Sequence, residues 1–141
     1  MRIALRKEIP LKGAIAYGDI VVNDDLNLFC GQPIIDAYLL EEDLQYMGVV
    51  FHHTFEDGFY KLSDTQYKRV SNWVKEIKTP FKYGKRTHLN LDYRISGLKT
   101  YDLKKHVETQ RFYSSGDARK YVDNTLDVLG KFELPVESED R

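Results

Sequence analysis

The chain is short of several things, and each shortage closes off a class of protein. It has one cysteine, Cys30, so no intrachain disulfide can form and a secreted disulfide scaffold is excluded; a reducing cytoplasm suits it. No apolar run approaches the ~18 residues that a membrane-spanning helix requires. The opening MRIALRKEIP carries basic residues without the apolar stretch of a secretory signal, so no signal peptide is expected. Excess charge is missing as well. With 21 basic and 22 acidic residues the net charge is −1, which excludes a broadly basic nucleic-acid binder, though not a local patch. Only four prolines occur, and no repeat, low-complexity stretch or long linker is found.

What remains is an ordinary globular composition: 42% hydrophobic, 30% charged and 13% aromatic. The length of 141 residues fits one domain and allows burial of roughly two-thirds of the unfolded surface. The domain is expected to span residues 1–132, with an acidic, frayed tail over 133–141.

The tail of a helix is expected at residues 3–8, broken by Pro10. Residues 11–22 read as an interior strand, Asn23-Asp24-Asp25 as a turn, and Leu26 to Cys30 as the returning strand of a hairpin. From Pro33, the apolar spacing Ala37, Leu40, Leu44, Met47 predicts a helix that stops at Gly48. Val49 to Phe51 reads as a short buried strand and Phe55 to Tyr60 as a loop. Ser63 and Gln66 form a capping box, and Tyr67, Val70, Val74 and Ile77 extend the helix toward Pro80. Lys85 to Tyr93 alternates like a half-buried strand, and helices follow over 98–112 and 117–132. This order implies an α+β fold with a mostly antiparallel sheet of about four strands and three to four helices. Only one sheet face looks coverable by these helices, so a partner chain, by default a second copy, or a missing segment is expected on the other face or on an edge.

With hairpin and helix placed, Ile9 to Val50 resembles the C-terminal half of a class III nucleotidyl cyclase catalytic domain. That family has a strand motif R-x-G-I-x-x-G, a hairpin, and then G-x-x-V-N-x-A-A-R-L-E entering a helix. Here Lys12-Gly13-Ala14-Ile15-Ala16-Tyr17-Gly18 resembles the first motif, with lysine in place of its arginine, and Gly31, Ala37, Leu40 and Glu41 match the second, with Ile34 replacing its valine. About 45 residues carry the likeness. Uncharacterised bacterial cyclase-like proteins are similar over the same segments, and also over Leu89-Asn90-Leu91-Asp92 and Lys120 to Thr125. The resemblance implies a ferredoxin-like or cyclase-like half-domain, with Gly13, Gly18 and Gly31 as structural motif glycines. It also implies loss of activity. The family asparagine falls on Ile35 and the family arginine on Leu39, and an aliphatic side chain cannot bind a phosphoryl oxygen. The metal-binding aspartates belong to the first half of that domain, for which nothing here corresponds. No catalytic or metal-binding residue is therefore assigned.

The expected function is a non-catalytic cyclase-like module acting through dimerisation and through nucleotide or protein binding. Asp36 and Tyr38, on the helix that borders the substrate in cyclases, are the candidate ligand contacts. One alternative is half of a split cyclase or phosphotransfer enzyme completed by a missing N-terminal half on another chain, with Mg or Mn as cofactor. The other is an accessory protein contacting single-stranded nucleic acid through Lys82 to Arg86, Arg94, Lys99, Lys104, Lys105 and Arg111 with interleaved aromatics. Asp19, Asp24 and Asp25 read as turn residues rather than a cation loop. His52 and His53, ending a strand, should point to opposite faces, and with His88 and His106 form no recognisable zinc set. Cys30 reads as core filler. No G-x-S-x-G nucleophile motif occurs.

Overall fold

A computed structural model of the chain describes residues 9–93 and 100–132, together with Ala4 and Lys7. The expected helix tail at 3–8, apart from Ala4 and Lys7, and the acidic tail at 133–141 lie outside the described residues. The elements are β1 (Gly13–Ile15), β2 (Val21–Asn23), β3 (Leu28–Cys30), α1 (Gln32–Asp43), β4 (Val49–Phe51), α2 (His53–Phe59), α3 (Asp64–Val70), a 3-10 turn (Ser71–Trp73), β5 (Val74–Phe81), β6 (Gly84–Leu91), α4 (Thr100–Gln110) and α5 (Gly116–Phe132). The fold is α+β. Its main sheet has four strands in the order β1-β4-β6-β5, mostly antiparallel, and β2 and β3 form a separate two-stranded sheet.

β1 and β4 run parallel and side by side, Gly13 opposite Val49. A split βαβ unit of the ferredoxin type places a strand between such a pair; here none intervenes. β6 pairs antiparallel with β4 at Asn90 and with β5 along its whole length. Among the described residues β1 is an edge strand that pairs only with β4, not the interior strand expected, and the chain leaves the sheet after Ile15 to build the β2–β3 hairpin.

Both faces of the sheet are covered, which corrects the expectation of one bare face. On one side Leu103 and Val107 of α4 and Val122, Val128, Leu129 and Phe132 of α5 pack on Val50, Ile77 and Phe81. On the other, Phe55 and Phe59 of α2 join Leu62 and Val70 against Phe51, Val74 and Leu89. Val74 and Ile77 therefore belong to opposite faces of β5 rather than to one helix stripe. A strand buried on both faces does not alternate, and its apolar spacing can mimic a helix. Pro80 sits within β5 without cost to β6, because β5 is the outer strand and its carbonyl turns outward to accept from the Gln45 N–H at 3.0 Å. Phe55 to Tyr60, expected as a loop, is mostly α2, capped at its start by His52. The Ser63–Gln66 capping box opens α3 as expected.

α1 ends at Asp43, four residues before the end of the predicted stripe. The next residues are taken into the core in extended form. Leu44 bridges Phe81, and the Met47 N–H donates to Thr125 Oγ1 at 2.8 Å. The Tyr46 ring lies so close to Gly48 that a Cβ there would stand 2.0 Å from it, so position 48 requires glycine. Tyr46 Oη donates to Asn90 Oδ1 at 2.7 Å, and Asn90 Nδ2 donates to Thr79 Oγ1 at 2.7 Å and to the His88 carbonyl at 2.8 Å. All three side chains are fully buried. Burial, and then the neighbouring Tyr93, raise the Tyr46 pKa well above the ordinary tyrosine value, which keeps the hydroxyl a donor.

Removing Asn90 would leave Tyr46 and Thr79 without their shared partner in a dry core. Asn90→Ala is expected to cost about 3 kcal/mol in urea unfolding, because the Tyr46 and Thr79 hydroxyls keep only long contacts, each 3.4 Å, to the Val49 and Ile77 carbonyls, and Tyr46→Phe about 1 kcal/mol. Equal, small losses would show that the network is not closed.

Candidate functional site

The sequence nominates the helix bordering the first hairpin, and the structure divides its residues between two environments. Along α1, Ala37 and Leu40 turn partly inward, while Ile34, Ile35, Tyr38 and Leu39 make an outer stripe, Ile35 52% and Leu39 54% exposed. Asp36 is half-buried and accepts from Gln32 Nε2 at 2.8 Å. Tyr38 is 62% exposed on the outer stripe, so the two proposed ligand contacts leave the helix on different sides.

The inner side of α1 approaches the carboxyl ends of the parallel strands, where three of the four histidines gather. His52 and His53 do not diverge as strand neighbours should. The strand has ended at Phe51 and His53 opens α2, so their rings lie 4.0 Å apart. Thr54 Oγ1 accepts from the Tyr17 N–H at 3.0 Å and stands 3.1 Å from His52 Nδ1, which suits a neutral His52 ring accepting at Nδ1. Burial and the neighbouring His53 lower the His52 pKa; Asp36 and Glu56 act the other way and do not prevail. Glu56 Oε1 accepts from the Leu89 N–H at 2.7 Å and lies 3.0 Å from His88 Nδ1, tying α2 to β6. Among the described residues no three His, Cys, Asp or Glu side chains are arranged to hold a metal ion.

Lys12, the first residue of the Lys12 to Gly18 segment, closes the C-terminus of α1. Its Nζ donates to the carbonyls of Glu41 (2.9 Å) and Leu44 (3.3 Å), pairs with the Glu41 carboxylate (3.3 Å) and lies 5.5 Å from the Tyr121 ring centre. A cation at the negative end of the helix macrodipole is a structural use of that lysine. Beside it an open cleft of about 340 Å³ is lined by Gln45, Lys82, Asp117, Lys120 and Tyr121. Three residues of the basic stretch are answered within the chain: Lys82 pairs with Glu42 and Asp43, Lys85 with Asp127 and Arg111 with Asp123. Arg94 and Lys99 lie outside the described residues.

The motif glycines separate by role. A Cβ on Gly13 would meet only ordinary contact, 3.9 Å from Val49. On Gly18 it would stand 2.6 Å from Pro33 Cγ, and on Gly31 2.7 Å from the Asp19 carbonyl oxygen. Gly18 and Gly31 thus form the neck of the β2–β3 hairpin, where its two stems and the first turn of α1 touch. Asn23 Oδ1 accepts from the Leu26 N–H at 3.1 Å, so Asn23 to Leu26 is a turn, as expected. Cys30 is exposed on this hairpin rather than buried in the core.

The largest feature missed from the sequence is how much of this region is apolar and uncovered. All six residues of β2 and β3 are exposed, and α1 buries no residue. Val21-Val22 and Leu28-Phe29-Cys30, apolar at consecutive positions, were the available signal, since such runs belong to strands covered on both faces.

No family model, curated protein or solved structure matches this chain.

The His52–His53 contact makes a direct expectation. In histidine NMR titrations His52 should titrate below its ordinary value near 6.5, and His53→Gln should raise it by removing the like charge. Because the folded value is depressed, the unfolded chain takes the proton first. The related stability is present above pH 6.5 and is lost as the pH falls through the folded pKa. A His52 that titrates normally, unmoved by His53→Gln, would contradict the geometry.

Proposed function

We propose that this chain is a non-catalytic cyclase-like module that works by self-association through α1 and the β2–β3 hairpin. The observation that carries the reading is the uncovered apolar surface that each of these two elements presents. Val21 (64% exposed), Val22 (47%), Leu28 (49%) and Phe29 (57%) lie on the hairpin; Ile35, Tyr38 and Leu39 lie on the helix. Patches beyond a few hundred Å² mark interaction sites on soluble proteins. A stable interface needs ~800 Å² from each partner, and side chains of this size, about half exposed, supply an area of that order.

A second copy is the favoured partner because the chain presents two apolar surfaces that it does not cover itself. A two-fold axis satisfies both with one kind of molecule. Ile35 and Leu39 support the non-catalytic part: at positions resembling those of sugar- and phosphate-binding groups they offer hydrocarbon, suited to a protein surface. A nucleotide ligand draws less support from the geometry, since Asp36 is engaged by Gln32 and Tyr38 faces away from it. Among the described residues no helix is long and apolar enough to cross a membrane.

Sedimentation equilibrium tests the reading. The wild-type chain should dimerise, and Ile35→Glu with Leu39→Glu should raise the dimer Kd at least about tenfold, some 1.4 kcal/mol, with an unchanged circular dichroism spectrum. A wild-type chain that is monomeric at about 100 μM, a concentration at which even weak specific pairs associate, would remove the proposal.

A further inference from the structure

Resting on that reading, we infer that the β2–β3 hairpin is an embracing arm: in the dimer the second copy covers both of its faces, one with its own arm and the other with its α1 stripe. The register decides which side chains share a face. Val21 is opposite Cys30 and Asn23 opposite Leu28, so these four lie together; Val22 is opposite Phe29 on the reverse side. Asn23 is the one polar residue of the six. A hairpin docked by a single face keeps its apolar side chains there and turns polar ones to water. This hairpin offers hydrocarbon on both.

Two further features point the same way. A two-stranded sheet alone is marginal in water, and among the described residues β2 and β3 pair only with each other, so each also leaves a backbone edge free. The arm also leaves the domain at a fixed place. Gly18 against Pro33 and Gly31 against Asp19 and Ile20 close its neck beside the first turn of α1. Arm and stripe thus start from one point, yet neither shields the other, with Phe29 57% and Leu39 54% exposed. Across a two-fold axis each arm reaches the other copy's stripe, and the two arms meet. The contact is isologous and closes at two chains rather than continuing into a fibre.

Cys30 makes this testable with the native chain, because it is the sole thiol and lies on the Val21 face. Its labelling rate with a maleimide, at fixed pH, should fall at least tenfold between dilutions where sedimentation shows monomer and concentrations where it shows dimer. Val21→Ser on one face and Phe29→Ser on the other should each weaken the dimer at least tenfold. A labelling rate independent of concentration while the dimer persists would overturn the two-sided arm and leave self-association standing. A chain monomeric throughout would remove both. Should either variant fail to fold by circular dichroism, the Cys30 rate of the wild-type chain decides the Val21 face and the milder Phe29→Leu or Val22→Ala variant decides the other.

Discussion

The structure depends on how five residues, Leu44 to Gly48, are drawn into the core. Tyr46 is held by Asn90, which in turn holds Thr79, all out of reach of water. The Met47 amide is held by Thr125 and the Gln45 amide by Pro80. A buried polar network stabilises only when each member is satisfied, and then it admits few alternative packings. Here it fixes β4, β5, β6 and α5 around one short segment. The helix before that segment is left on the outside.

That division explains the placement of the chain's chemistry. Side chains that look suited to a site are occupied in holding the fold: Lys12 closes α1, Glu56 ties α2 to β6, and Asn124 Nδ2 donates to the Gln45 carbonyl at 2.7 Å. The segments that carry the cyclase-like resemblance, from Lys12 to Gly18 and from Gly31 to Glu41, build β1, the neck of the arm and α1. Gly18 and Gly31 are needed there because stems and helix meet at van der Waals distance. Beyond the neck the strands expose hydrocarbon and the turn exposes Asn23, Asp24 and Asp25.

Much of the fold was legible. The turn after Asn23, the strand Val49–Phe51, the Ser63–Gln66 cap and the helices ending near Gln110 and Phe132 all rest on local signals, and local signals survive folding. The failures have a common cause in tertiary context. Val74 and Ile77 fit a helical stripe only because β5 is buried on both faces and so does not alternate. The stripe through Leu44 and Met47 was real as a list of buried residues, but backbone partners at Pro80 and Thr125 were worth more than another turn of helix. Asp57-Gly58 lies in the stretch read as a loop, yet both residues are inside α2. Of the candidate site, Asp36 and Tyr38 could be named but not oriented. Cys30 was misplaced because a strand exposed on both sides has the composition of a buried one.

The central claim is that the core is complete without α1's outer face and the arm, and that these two elements are finished by a second copy. Amide hydrogen exchange measured across protein concentration tests it most directly. Amides of β5, β6 and α5 should be protected equally in dilute and concentrated samples. Amides of β2, β3 and the first turns of α1 should exchange quickly when dilute and gain at least tenfold protection as the chain associates. Protection of the arm that is already full in the dilute monomer, and unchanged by concentration, would contradict the account.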